Sequence, residues 1–229
     1  EDRQAILRVD DVEEGEKSIY LSDLQVPFHD TGLLGAIETF MVDFQPDRVF
    51  YVGDVADMYS ISVFDKNPSR RFHLEDEVRT VRSIIDRHRA LLPRAAFYWM
   101  DGNHEYRLIR ELMRSGGEFY GLMDEDTEDP LISIPKIFGL RKRGFLYVPW
   151  PGRIDYQGFV LTHGLPRRMP LNLKHCAKMM LEYVKSSGLC GDFHRNQMYM
   201  SVGDEGQSQG WIVQGCLCRL DPDFSPFPE

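Results

Sequence analysis

Asp23, Gly53-Asp54, Gly102-Asn103-His104-Glu105, His163-Gly164 and Gly191-Asp192-Phe193-His194 share one feature: each stands directly behind a run of apolar, β-branched or aromatic residues. A carboxylate, an amide or an imidazole therefore follows every such run. Oxygen and imidazole donors with no thiolate among them suit Mn²⁺, Fe, Zn²⁺ or Mg²⁺ rather than a cysteine-based structural zinc site. A carboxylate such as Asp54 can bridge two ions. Ions roughly 3.5–4 Å apart hold a phosphoryl oxygen, generate hydroxide near neutral pH and stabilise both oxygens of an in-line displacement. Phosphoester hydrolysis is the chemistry such a set would perform.

The runs that must position these groups are SIYL (18–21), RVFYV (48–52), AAFYWM (95–100), GFVLT (158–162) and GLC (188–190), all of which read as buried strands. Between the early ones, Leu33, Leu34, Ile37, Phe40 and Met41 recur at helical spacing over 31–44, and Val78, Val81, Ile84, Ile85 and Leu91 do so over 74–92. A further helical piece runs to Arg114, another spans 172–185, and strands are expected at 197–202 and 210–216. Strand alternating with helix predicts a layered α/β fold. In open α/β sheets, functional groups converge beyond the carboxyl ends of the strands, so distant clusters can pool their side chains there. Glycines in these clusters let the backbone turn sharply.

A chain of 229 residues can bury a sizeable core as one domain. The expected layout is an arm over 1–17, a domain over 18–220 with a cap or insertion at 115–144, and a Pro-rich tail at 221–229. A net charge of −9 makes the whole chain a poor partner for polyanions or acidic membranes, so any nucleic-acid contact must be local. No apolar run approaches the roughly 18–20 residues of a membrane span, and the reading is of a soluble, cytoplasmic protein. The four cysteines, Cys176, Cys190, Cys216 and Cys218, lack paired C-x-x-C spacing and read as buried thiols.

Taken in order, Asp23-Leu24-Gln25, Gly53-Asp54-Val55-Ala56-Asp57, Gly102-Asn103-His104-Glu105, Thr162-His163-Gly164 and Gly191-Asp192-Phe193-His194 resemble the motif series of the calcineurin-like metallophosphoesterase superfamily. The match spans about residues 18 to 195, and SDLQVPFHD, GNHEYR and GCLC look like a subgroup common in bacteriophage genomes. The resemblance implies a four-layer α/β sandwich of two mixed β-sheets flanked by helices. It implies two divalent ions, Mn²⁺ first and Fe, Zn²⁺, Ni²⁺ or Mg²⁺ as alternatives. Asp23 and His194 would hold the first ion, Asp54 both, and Asn103 and His163 the second. His104 would assist the leaving group, oriented by Asp57, whose carboxylate raises the imidazole's pKa and favours its proton-donor form.

Gln25 stands where the family usually has a histidine on the first ion, and Asp192 where it usually has one on the second. A neutral amide is a poorer ligand for a transition metal than imidazole, whereas a carboxylate shifts preference toward harder ions. Arg107, one helical turn past Asn103, and Arg167, Arg168 and Arg195, beside the His163 and His194 loops, are candidates to hold substrate phosphates. Glu105 is read as satisfying backbone donors at a helix start, and His29 as packing or bonding locally. The expected activity is hydrolysis of a phosphodiester, of a nucleotide or nucleic acid, by metal-activated hydroxide. Phosphomonoester or phosphoprotein hydrolysis is the alternative, and a phosphoesterase-fold binding protein impaired by Gln25 and Asp192 is a third reading.

Overall fold

The computed structural model describes residues 4–63, 66, 72–127, 129–164, 173–203 and 206–220. Its strands are β1 (Ala5–Val9), β2 (Ser18–Leu21), β3 (Arg48–Val52), β4 (Ala96–Met100), β5 (Phe145–Val148), β6 (Gly152–Tyr156), β7 (Phe159–His163), β8 (Gly188–Gly191), β9 (Gln197–Val202) and β10 (Ser208–Val213). The helices are α1 (Thr31–Phe44), α2 (Leu74–Leu91), α3 (Tyr106–Ser115), α4 (Ile134–Phe138) and α5 (Cys176–Val184). One sheet runs β2-β3-β4-β5 with every pairing parallel. The other runs β1-β6-β7-β8-β10-β9 and is mixed, with β6 antiparallel to β7 and β9 antiparallel to β10.

The two-residue period of a strand explains the layering. All of β3 is buried, and its side chains divide between two cores. Val49 and Tyr51 face the helical side with Leu34, Met41, Val81 and Ile85, while Phe50 and Val52 pack with Val9, Ile154, Leu161 and Leu189 of the second sheet. On that sheet's far side, Val160, Cys190, Trp211 and Val213 meet Cys176, Ala177, Met180 and Leu181 of α5. Two sheets thus pack face to face, with helices outside both. A strand buried on both faces needs no polar alternation, which is why RVFYV reads as a continuous apolar run.

The expected 31–44 helix is α1, opened by Asp30, whose side chain accepts from Leu33 N at 2.9 Å. The opening stretch expected as an arm carries β1, paired in parallel with β6. Within 115–144, expected as a cap, Ile134, Phe138 and Leu140 are buried in the same core as α1 and α2. The expected tail at 221–229 lies outside the described residues. No helix among the described residues is long and apolar enough to cross a membrane.

Candidate metal centre

The neighbouring strands β2, β3 and β4 deliver Asp23, Asp54 and the Asp101–Glu105 turn to the same end of their sheet, and β7 and β8 bring His163, Asp192 and His194 to meet them. Backbone bonds knit the loops together, with Asp23 N donating to Gly53 O at 3.1 Å and Gln25 N to Asp54 O at 2.9 Å. Six of the nine non-glycine residues with positive φ in the described chain lie here: Asp23, Gln25, Asp54, Met58, Asp192 and His194. Each such conformation costs about 1–3 kcal/mol and persists only where its surroundings over-determine it. Gly53, at φ +82°, carries a further constraint, because a Cβ there would collide with the His163 ring.

His163 is fully buried, and its Nδ1 donates to Val52 O at 2.7 Å. That bond fixes the tautomer and leaves Nε2 bearing the lone pair. Nε2 has no hydrogen-bond partner. It stands 3.1 Å from Asp54 Oδ2 and 3.9 Å from both Asp23 Oδ1 and Asp192 Oδ1. Facing three carboxylates, that atom calls for positive charge beside it, supplied by a proton on the ring or by a cation among the carboxylates. Burial alone would lower the His163 pKa, yet Asp54 and Asp23 outweigh it and drive the ring well above the ordinary histidine value. Burial raises Asp54, but His104 and His163 hold its carboxyl below the usual range. Asp192 is raised, first by burial and then by the charges of Asp54 and Asp23 against the pull of His163. Asp23, Asp54 and His163 each offer a ligand atom within 4.8 Å of the others. These hard oxygen and imidazole donors fit a divalent ion.

Asp23 is further anchored by Asp192 N, which donates to its two oxygens at 3.2 and 3.1 Å, and by the Ser22 hydroxyl. Ser22 also lies 3.0 Å from Val52 O. Sequence reading missed Ser22, although its place immediately before Asp23 was the available signal. His194 Nε2 faces Asp23 Oδ1 at 3.3 Å and the Gln25 amide nitrogen at 3.0 Å, so Gln25 reaches the centre from the loop after β2.

Beside the cluster, His104 Nδ1 donates to Asp57 Oδ2 at 3.0 Å, and its Nε2 points inward, 3.6 Å from Asp54 Oδ2. Burial disfavours the charged ring, but Asp54 and Asp57 outweigh burial and Arg107, raising its pKa. Arg107 donates to Asp57 O at 2.6 Å and Oδ1 at 3.1 Å, and its second terminal nitrogen lies 2.9 Å from His104 Nε2. Glu105 does satisfy backbone donors, but in two turns, those after β3 and β4. It accepts from Gly102 N at 2.8 Å, Ala56 N at 2.9 Å and Asp54 N at 3.1 Å. Burial, then the Asp54 charge, pushes its pKa up to about 7 despite those donors.

Asn103 is exposed in the turn after β4, one residue before His104, whose backbone N–H donates to Asp54 Oδ1 at 2.9 Å. Arg195 is exposed next to His194. Arg167 and Arg168 lie outside the described residues. His29 stands apart from the cluster, its backbone bridged to Cys218 and its Nδ1 buried without a partner.

No protein-family model matches the chain. Over 145 residues the chain is 32% identical to the Gene 54 protein of Mycobacterium phage D29, an alignment covering 61% of this chain and 55% of that protein. The chain thus spans about half the length of this relative and is similar to a bacteriophage protein.

Proposed function

We propose that this protein is a divalent-metal-dependent phosphoesterase of the calcineurin-like type, hydrolysing a phosphodiester of a nucleotide or nucleic acid. The observation that carries the reading is the buried His163 ring, its Nδ1 tied to Val52 O and its Nε2 turned on Asp54, Asp23 and Asp192. On this reading Asp23, His194 and Gln25 would hold one ion, Asn103, His163 and Asp192 the other, and Asp54 would serve both. Bound there, the ions polarise a phosphoryl oxygen and acidify water near neutral pH.

The chain's own residues do the rest. Asp57 accepts from His104 Nδ1 and so aims Nε2 at the centre, where a protonated ring can donate to the departing ester oxygen. Arg107 braces Asp57 by donating to it, and its other terminal nitrogen, 2.9 Å from His104 Nε2, can turn to a phosphate oxygen when substrate enters. Arg195, and by their place in the sequence Arg167 and Arg168, would meet flanking phosphates on a chain whose net charge is −9.

Hydrolysis of a nitrophenyl phosphodiester and its monoester by Mn²⁺-loaded protein tests the assignment. Turnover of the diester above the monoester, lost in His104→Ala with bound Mn²⁺ unchanged, is the expected result. Preference for the monoester would move the substrate to that class, and no turnover of either by protein holding two ions would overturn the enzyme reading.

A further inference from the structure

A second cluster of ligand atoms adjoins the centre. His194, Cys216 and Cys218 each present one donor, all within 4.8 Å of one another. Its origin is local. The segment after β10 straps across the loop after β2, with Leu217 N donating to Asp23 O at 3.0 Å and Arg219 N to Phe28 O at 2.9 Å. Leu217 turns into the apolar core. The chain bends at Leu217, and the thiols on either side of it, Cys216 and Cys218, both come within reach of His194. All four cysteines are in the thiol form. Cys218 Sγ lies 4.0 Å from His194 Nδ1, close to the roughly 3.6 Å edge between sulfur and nitrogen in a tetrahedral zinc site.

We propose that Cys216, Cys218 and His194 Nδ1 form a site for a soft, thiophilic cation such as Zn²⁺ or Cd²⁺, distinct in chemistry from the oxygen-rich cluster beside it. Water or an exogenous ligand completes the tetrahedron, since His194 and Cys216 are only partly buried. The two clusters share one ring. A neutral imidazole has one lone pair, so as a neutral ring His194 serves the thiols through Nδ1 or the Asp23–Gln25 side through Nε2. A thiophilic cation therefore withdraws His194 from the hard-metal centre, a consequence that rests on the phosphoesterase reading of that centre.

Cd²⁺ titration followed by thiolate-to-metal charge-transfer absorption tests the site without reference to turnover. Wild type and Asp54→Asn should both develop the band, saturating at one Cd²⁺ per chain, and the Cys216→Ser/Cys218→Ser double variant should lose it. Equilibrium dialysis supplies the second readout: Cd²⁺-loaded wild type should hold one Mn²⁺ fewer than the Cd²⁺-treated double variant. No band in wild type, or a band of equal strength in the double variant, overturns the site. Equal Mn²⁺ content overturns the competition for His194. Because absorption does not depend on catalysis, failure of the phosphoesterase reading would appear separately, as Mn²⁺-loaded protein without turnover.

Discussion

Removing Glu105 should damage the centre without touching any ligand. The side chain is fully buried, and its two oxygens accept three backbone donors: Asp54 N, Ala56 N and Gly102 N. Glu105→Ala leaves all three N–H groups in a dry site. At about 1–3 kcal/mol for each buried unsatisfied donor, the cost is about 3–9 kcal/mol, falling to the lower end where water can enter the vacated space. Total stabilities run only about 5–15 kcal/mol, so the variant should be marginal. Glu105→Gln keeps the volume and one acceptor oxygen but turns an amide N–H₂ toward a backbone donor, so it should cost about 1–3 kcal/mol. Urea unfolding of metal-free protein by far-ultraviolet circular dichroism measures both. The expected order is wild type, then Glu105→Gln, then Glu105→Ala, with Mn²⁺ affinity falling in step because Asp54 is held through its own N–H. A Glu105→Ala protein within about 1 kcal/mol of wild type would refute the view that this carboxylate ties the loops together.

Three further outcomes are expected. Arg107→Gln removes a cation that lowers the His104 pKa, so the His104 ring in metal-free protein should titrate at higher pH by NMR; an unchanged or lower value refutes the contact. Asp192→Asn removes one of three carboxylates facing His163 Nε2, and calorimetry with Mn²⁺ should show affinity falling by about tenfold or more; equal affinity would exclude Asp192 from the ion's surroundings. His88 is buried, donates through Nε2 to Glu38 and accepts from the Tyr51 hydroxyl, and burial outweighs Glu38 to depress its pKa to about 4. Against an unfolded value of about 6.5, stability from its neutral ring is complete above that pH and lost as pH falls toward about 4, a loss of about 3 kcal/mol. His88→Gln should therefore flatten the acid limb of stability measured by urea midpoints, and an unaltered limb would refute the assignment.

The strand-end clusters were legible because each interior strand ends abruptly. RVFYV gives way to Gly53-Asp54 and AFYWM to Asp101-Gly102, and a polar residue at the end of a fully buried strand has nowhere to go but the crevice. β1, β5 and β6 were not legible. In β1 and β6, partial burial admits Arg8, Arg153 and Asp155, and charge inside a short run erases the apolar signal that marks a strand, while β5, Phe145–Val148, is only four residues long behind the basic Arg141–Arg143. In the 115–144 stretch, acidic and basic ends hid three large side chains, Ile134, Phe138 and Leu140, that anchor it to the core.

Proximity was harder to read than type. Asp57 and His104 could be paired from motif order, but Arg107 reaching both depends on the turn that α3 makes after Glu105. Glu105 was expected to satisfy a helix start, whereas its acceptors reach across to the β3 loop because β3 and β4 are adjacent and parallel. The cysteines show the limit most clearly. A Cys-x-Cys spacing among apolar neighbours states only that two thiols lie near each other. That they meet His194 follows from β10 pairing in parallel with β8, which carries both strand ends to the same edge of the centre. Sheet order is a long-range property that no local pattern encodes, so residues of one site can be recognised singly in the sequence while the second site they build with other partners becomes visible only once the strands are ordered.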